Sequence, residues 1–389
     1  MSPARSKPMI ELRTHSAISE IGRDAWNGQA DSETPPFLRY EFLHALEETG
    51  AVHPEHGWAP MHMALYRGDQ LIGVAPAYVK GNSQGEFVFD HGIADFAQHR
   101  LGVAYYPKLI LASPFTPATG ARLLCADPSD RPELTRAIAA GAAKLVESFE
   151  LSGAHVLFSS REEADALAAA GMAQRVGVQF HWQNQGYARF DEFLSKMSSK
   201  RRHQLKRERR ALGEQGTRLE IRTGRELDAA LVDHVFDCYR STVERYYWGR
   251  QYLSRDFFHA IVAAMPDSVL CVIARDTASN RPVAAAFNLV GERALFGRYW
   301  GAIDDRDCLH FNVCYYAGIE ECIRRGLSRF EPGAGGEHKR ARGFEPVRTY
   351  SSHWFLDQRL SSVAIDFFKR EAEAIDDSLQ DHVPVVRKD

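Results

Sequence analysis

Residues 330–346, FEPGAGGEHKRARGFEP, leave an apolar run, cross a proline and three glycines, and then set Glu337, His338, Lys339, Arg340 and Arg342 close together. Glu331, Glu337 and His338 are the acid–base groups here, able to take a proton from a nucleophile or return one to a leaving group. Glycine lets backbone approach a ligand closely, and its N–H groups can line an anion or oxyanion site. The pattern predicts a loop that carries chemistry, with Glu331, Glu337 and His338 catalytic. Lys339 and Arg342 would bind substrate by countering its negative charge.

A second candidate is SSKRRHQLKRERRAL, residues 198–212. Ser198 or Ser199 can cap a helix whose first turn then holds Lys200, Arg201 and Arg202. Cations there oppose the helix dipole, at a cost of ~0.3–1 kcal/mol each where exposed. Arg202, Lys206, Arg209 and Arg210 continue one cationic stripe opposed only by Glu208, with Leu205 and Leu212 on another face. Such a stripe suits the phosphates of RNA, a nucleotide-sugar or a cofactor, and Lys200, Arg201, Arg202 and Lys206 are its expected contacts. A third feature is aromatic density in VERYYWGRQYLSRDFF and RYWGAIDDRDCLHFNVCYY. Tyr299, Trp300 and His310 are expected to bind substrate as walls of a cleft between the halves of the chain.

The elements that must position these groups form a weak internal repeat. MHMALYRGDQLIGVAPAYVK and SVLCVIARDTASNRPVAAAFNLV each read as strand, turn, strand, followed by the strand candidates EFVFDH and RALFGRYW. Amphipathic helices come next, marked by Ile138, Ala142, Leu145, Val146 and Phe149 in the first half and by Leu309, Val313, Tyr316, Ala317 and Ile323 in the second. Each is expected to end near a glycine, Gly153 or Gly326, and to lead into a short strand. Gly171 then matches Gly343, and His181-Trp182 matches His353-Trp354, an offset of about 172 residues. The first copy needs an insertion. Each half therefore predicts an α/β (α+β) layer around a mostly antiparallel sheet. After its last short strand the first half has SREEADALAAAG, a helix that only needs to pack, where the second has PGAGGEHKRARG. The contrast singles out the second half for chemistry.

At 389 residues the chain is long for one core, and a formal charge of −3 gives no global attraction to nucleic acid or anionic lipid. Six cysteines without a C-x-x-C pair favour reduced thiols over zinc or disulfides, so no metal is expected. No apolar run approaches the ~18 residues of a membrane span. A soluble, cytoplasmic protein is expected. Motifs of metalloproteases, dinucleotide enzymes, P-loop NTPases and serine hydrolases are missing from the sequence.

Taken together, PFTPATGARLL, QFHWQNQGYARFDEFL, SSKRRHQLKRERR, GRYWG, LHFNVCYY and EPGAGGEHKRARGFEP resemble the signature blocks of the bacterial FemAB-like proteins, labelled peptidoglycan biosynthesis/recognition proteins or predicted N-acyltransferases. The resemblance runs from about residue 20 to residue 360; Asn312 stands where the family pattern has Glu, and Ile93 where it has Trp. It implies two tandem GNAT-like domains, in agreement with the repeat: 1–190, a basic helical connector 191–225, 226–360, and a polar helical tail 361–389. It also implies acyl or aminoacyl transfer from an activated ester or thioester to an amine, borne by a peptidoglycan precursor, a peptide or a small metabolite. The R/Q-x-x-G-x-G/A turn that cradles the pyrophosphate of acyl-CoA has no clean copy here. Aminoacyl-tRNA, met by the basic helix, or an acyl carrier is thus favoured over acyl-CoA, as co-substrate with no tightly bound cofactor. The alternative is a non-catalytic GNAT-like protein that recognises a cell-wall precursor or RNA.

Overall fold

The computed structural model describes residues 9–245 and 250–386. The chain forms two compact units that interleave in sequence: 1–177 with 349–375, and 178–348 with 376–389. The sequence reading placed consecutive boundaries at 190, 225 and 360.

In the first unit, strands Ile10–His15, His62–Arg67 and Gln70–Ala75 form an antiparallel sheet. Trp58–Pro60, Ala77–Lys80, Lys108–Leu111 and Gly153–Ser159 follow one another in a second. Lys108–Leu111 and Gly153–Ser159 run parallel, which requires a long crossover. Helix Arg131–Ser148 supplies it, burying Leu134, Ile138, Ala142 and Val146 on one face. Phe149, expected on that face, is exposed, because the helix ends one residue before it. The left-handed residue that follows is Glu150 rather than Gly153, which lies inside the next strand.

The second unit begins with the meander Thr217–Thr223, Val269–Asp276, Pro282–Val290 and Ala294–Ala302. A helical run from Leu309 to Arg325 then crosses over to the short parallel strand Arg329–Glu331. Gly326 terminates this run in the left-handed conformation. Leu309, Val313, Tyr316, Ala317 and Ile323 are all buried.

Both units thus show antiparallel strands, a crossover helix and a parallel strand in one order, as a repeat requires. The last strand is exchanged. Tyr350–Phe355 of the long strand Glu345–Phe355 pairs with Gly153–Ser159, and Trp182–Gln183 of Ala173–Gln183 pairs with Arg329–Phe330. One correction concerns EFVFDH. Residues 86–90 form no strand, and the strand expected there is Lys108–Leu111, beyond the insertion. The segment expected as a polar tail is the helix Gln358–Gln380, whose Leu360, Ala364 and Phe368 pack with Ile93, Tyr105 and Phe355 in the first unit.

Glycine is indispensable where helix Ala229–Arg245 crosses strand Ala294–Ala302. A Cβ on Gly301 would lie 1.7 Å from Cys238 O and 2.8 Å from Thr242 Oγ1. Gly301→Ala should cost at least the ~1–3 kcal/mol of an overpacked core. Gly213→Ala, in a helix with open space at its Cβ, should instead stabilise by up to ~1 kcal/mol. Midpoints of chemical denaturation measure both.

Candidate functional site

In the second unit the parallel strands Ala294–Ala302 and Arg329–Glu331 pair only at Ala294↔Arg329, Leu295↔Phe330 and Phe296↔Glu331. The first then continues through a bulge opposite Phe287 and Asn288, while the second breaks at Pro332. From here the glycine-rich segment departs. Gly333, Gly335, Gly336 and Gly343 all have φ between 65° and 91°, a region that side chains disfavour. Between the last two, Glu337–Arg342 coil into a 3₁₀ turn.

Lys339 and Arg342 hold this segment in place. Lys339 is buried, and its Nζ donates to Gly333 O at 2.7 Å and Ala334 O at 3.3 Å. Burial brings its ammonium down to about 8. Arg342 is also buried; it donates to His338 O at 2.9 Å, to both Glu208 oxygens at 3.0 and 3.1 Å, and lies 3.3 Å over the Phe311 ring. Tyr316 Oη donates to the same carboxylate, Gln204 Nε2 donates to it at 2.9 Å, and Asn312 Nδ2 donates to Glu208 O at 3.0 Å. A carboxylate at position 312 could not make that last bond.

His338 is exposed and shares a 2.9 Å hydrogen bond with Tyr315 Oη. Its ring centroid is 5.9 Å from His310 and 6.2 Å from Phe311. His310 stacks on Trp300 at 4.4 Å and meets Tyr315 edge-on at 5.0 Å. Burial, aided by the charges of His338, Arg342 and Lys339, takes His310 down to about 4. Burial and the charges of Arg342 and Lys339 lower His338 as well. Both imidazoles are therefore neutral near pH 7. An exposed neutral imidazole with a phenol partner, beside an aromatic wall, can accept a proton from an incoming nucleophile.

The three expected acid–base residues occupy different surroundings. Glu331 is buried, with Arg329 Nε at 2.9 Å and His181 Nε2 at 3.9 Å. Glu337 is exposed at the start of the turn, and His338 faces Tyr315. Tyr299 parts from Trp300, because successive side chains of a strand alternate faces. It packs instead against Tyr239 at 5.3 Å and Phe258 at 5.8 Å. Tyr246, Tyr247 and Trp248 lie outside the described residues.

The basic helix runs from Ser199 to Glu214, and Ser198 Oγ caps it at Arg201 N. Leu205 and Leu212 enter the core of the unit. Lys200 is exposed, Arg201 and Arg202 are half-buried, and the exposed Lys206 stands 3.4 Å from Asp191. Arg209 is drawn out of the expected stripe by Glu320, at 2.9 Å, and by the Phe190 ring. Glu208 is no surface counter-charge but the buried anchor of Arg342.

Sequence reading missed Phe311, Tyr315 and the functional sense of Glu208. In a regular α-helix Tyr315, five residues after His310, would point well away from it. A π-helical turn at Asn312–Tyr316 brings them together, and no local sequence signal announces that turn.

In the first unit the corresponding divergence is occupied by the chain itself. Beyond Leu111, Gly120 N donates to Phe158 O at 3.1 Å and Arg122 Nε to Leu157 O at 2.8 Å. Only the second unit presents the glycine-rich segment there.

The fold is thus of the tandem GNAT-like, FemABX type. The chain belongs to the FemAB-like family, described as peptidoglycan biosynthesis/recognition, which it matches over residues 17–385. Among solved structures it is similar to FemX, with 12% identity and a TM-score of 0.54, over 91% of this chain and 100% of that one. A tandem GNAT protein from the clavulanic acid biosynthesis pathway matches at 11% identity and TM-score 0.46, over 89% and 98%. L-PGS from Bacillus licheniformis matches at 9% identity and TM-score 0.49, over 82% and 93%. At these identities the likeness to FemX speaks for the fold. No curated protein matches. Among the described residues, no helix is long and apolar enough to cross a membrane and no group of three His, Cys, Asp or Glu could hold a metal ion.

Removing Arg342 would leave Glu208 as an uncompensated buried charge. Arg342→Ala should destabilise by roughly 3–5 kcal/mol. Lys200→Gln and Lys206→Gln should stay within about 0.5 kcal/mol in the same denaturant titration, because both side chains are solvated.

Proposed function

We propose that the protein is an N-acyl- or aminoacyltransferase whose chemistry takes place in the second unit. The observation that carries this reading is the exposed, neutral His338, hydrogen-bonded to Tyr315 beside the glycine-rich segment and the Trp300–His310 stack. A neutral amine attacks the carbonyl carbon of an activated ester or thioester. His338 takes the proton that the nitrogen loses, and Tyr315 keeps the ring oriented. The tetrahedral oxyanion is met by N–H groups of the segment 333–337. Collapse breaks the C–O or C–S bond, the leaving group takes the proton from His338, and an amide remains.

The basic helix favours a donor that carries phosphates, an aminoacyl-tRNA or an acyl carrier, held through Lys200, Arg201, Arg202 and Lys206. The acceptor is an amine on a peptidoglycan precursor or a small metabolite. Glu337 is the exposed carboxylate available to that amine. Lys339 and Arg342 act by shaping the segment, since their donors are engaged inside the protein. The second reading is a binding protein without turnover, which the word recognition in the family's description supports.

Native mass spectrometry of co-purified ligands would supply the donor and acceptor. With these in hand, His338→Ala should lower turnover by roughly 10²-fold or more while the fold persists. In the wild type, kcat/KM should rise with pH through a value below 6.5, as His338 loses its proton, and level off by pH 7. The variant should lack that limb. Full turnover in folded His338→Ala would end the assignment, and absence of turnover in the wild type would favour the binding reading.

The helix is tested separately. Replacing Arg201, Arg202 and Lys206 with Gln should weaken donor binding and flatten its salt dependence, leaving the melting temperature nearly unchanged. Equal affinity in the triple variant would exclude phosphate contact there.

A further inference from the structure

The first unit holds a cluster of buried charge that the transferase chemistry does not use. Lys108 is almost completely buried, and its Nζ donates to three points of one loop: Ser83 Oγ at 3.0 Å, Glu86 Oε2 at 2.8 Å and Asp90 Oδ2 at 2.5 Å. Tyr105 Oη donates to Asp90 Oδ2 at 2.7 Å. At the root of the loop Lys80 is fully buried, 3.1 Å from Gln84 O and 3.8 Å over the Trp58 ring.

The backbone is contorted to reach this arrangement. Gly85 and Phe87, on either side of Glu86, have φ of 76° and 60°, and an aromatic residue is rarely found in that region. The loop also covers part of the core. Gly85 O accepts Phe115 N at 3.1 Å, and Phe115 opens the stretch whose Gly120 and Arg122 occupy the strand divergence of this unit.

Charge balance is the weak point. Two ionised carboxylates on one ammonium leave an excess negative charge, and Glu86 Oε1 and Asp90 Oδ1 are buried without a hydrogen-bond partner. A proton on Glu86 cancels the excess and turns one of these acceptors into a donor. Burial, reinforced by the Asp90 charge and opposed by Lys108 and Lys80, pushes Glu86 up to about 7. Lys108 outweighs burial at Asp90 and holds its carboxyl well below the usual range. Of the other groups around the cluster, burial takes His155 down to about 3 and His353 well down, so neither gains a proton near neutrality. Burial raises Tyr105 and Tyr106, and Arg175 stays cationic. Burial lowers Lys80 to about 7, which makes it the one rival to Glu86 for titration in this window.

We propose that residues 80–91 form a proton-operated latch, seated while Glu86 is protonated against Lys108 and Asp90 and released when Glu86 ionises. The sign follows from burial. A carboxyl raised above its unfolded value stabilises the seated state at low pH, and this contribution is lost as pH rises through the folded value. Release relieves the left-handed backbone at Phe87 and bares the segment 112–122.

Hydrogen–deuterium exchange from pH 5.5 to 8.5, corrected for intrinsic rates, tests this on the whole chain and involves no enzymatic activity. Protection of amides in 81–91 and 112–122 should fall at least tenfold across the window, while the strands of the second unit stay unchanged. Glu86→Gln mimics the protonated side chain and should remain protected throughout. Lys80→Met should keep the wild-type pH dependence. A flat wild-type profile, an unchanged profile in Glu86→Gln, or loss of the dependence in Lys80→Met would each overturn the latch. Should Glu86→Gln fail to fold, infrared difference spectra of the wild type decide. A carbonyl band of a buried carboxylic acid must be present at pH 6 and gone by pH 8.5, and its absence at pH 6 refutes the proposal.

Discussion

The second unit is organised around the need to satisfy one carboxylate. Glu208 faces inward from an otherwise cationic helix, and a charge withdrawn from water must find charged or hydrogen-bonding partners. It finds Arg342, Tyr316 and Gln204, while Asn312 bonds the backbone at the same position. Three segments far apart in sequence are thereby fixed to one another: the basic helix, the π-helical turn and the end of the glycine-rich segment. The benefit of a buried pair lies less in net stability than in specifying one arrangement, since an apolar substitute of equal volume often stabilises as well. Here it sets which helix face is solvated and where His338 stands.

The same segment shows how glycine and buried cations work together. Four glycines free the backbone to turn back on itself, which by itself would leave many conformations open. Lys339 closes the loop onto its own carbonyls, and Arg342 closes it onto Glu208 and His338 O. The resulting surface is flexible in composition but fixed in geometry. Burial completes the electrostatics, because the positive charges of Arg342 and Lys339 discourage protonation of His310 and His338.

Duplication explains why the two units can differ in purpose while sharing an order of strands. After the short parallel strand the first unit continues into helix Arg161–Ala169, which buries Ala164 and Leu167, and it plugs its own strand divergence with Gly120 and Arg122. Relieved of that packing, the equivalent stretch of the second unit holds proline, glycines and the imidazole. The exchanged final strands make each unit depend on chain from the other half, so neither half of the sequence contains a complete sheet.

Much of this was legible in the sequence. The crossover helices declared themselves through apolar spacing at Ile138, Ala142 and Val146 and at Leu309, Val313 and Ile323, because a helix must bury one face wherever it lies. The repeat and the unusual composition of 330–346 likewise depend only on local order and residue type. Ser198 as a helix cap is a local decision too. Other features required the tertiary structure. EFVFDH has strand-like residues, yet Glu86 and Asp90 are drawn inward by Lys108, a partner supplied from outside the segment. Tyr315 joins His310 only through a π-helical turn, and Tyr299 separates from Trp300 through the pleat of a strand. Glu208, Lys339 and Arg342 read as solvated charges, since a charged residue is exposed unless a partner is brought to it. The chain alone states periodicity and residue type; which charges meet inside is decided by long-range packing, where desolvation forces each buried charge to find its partner.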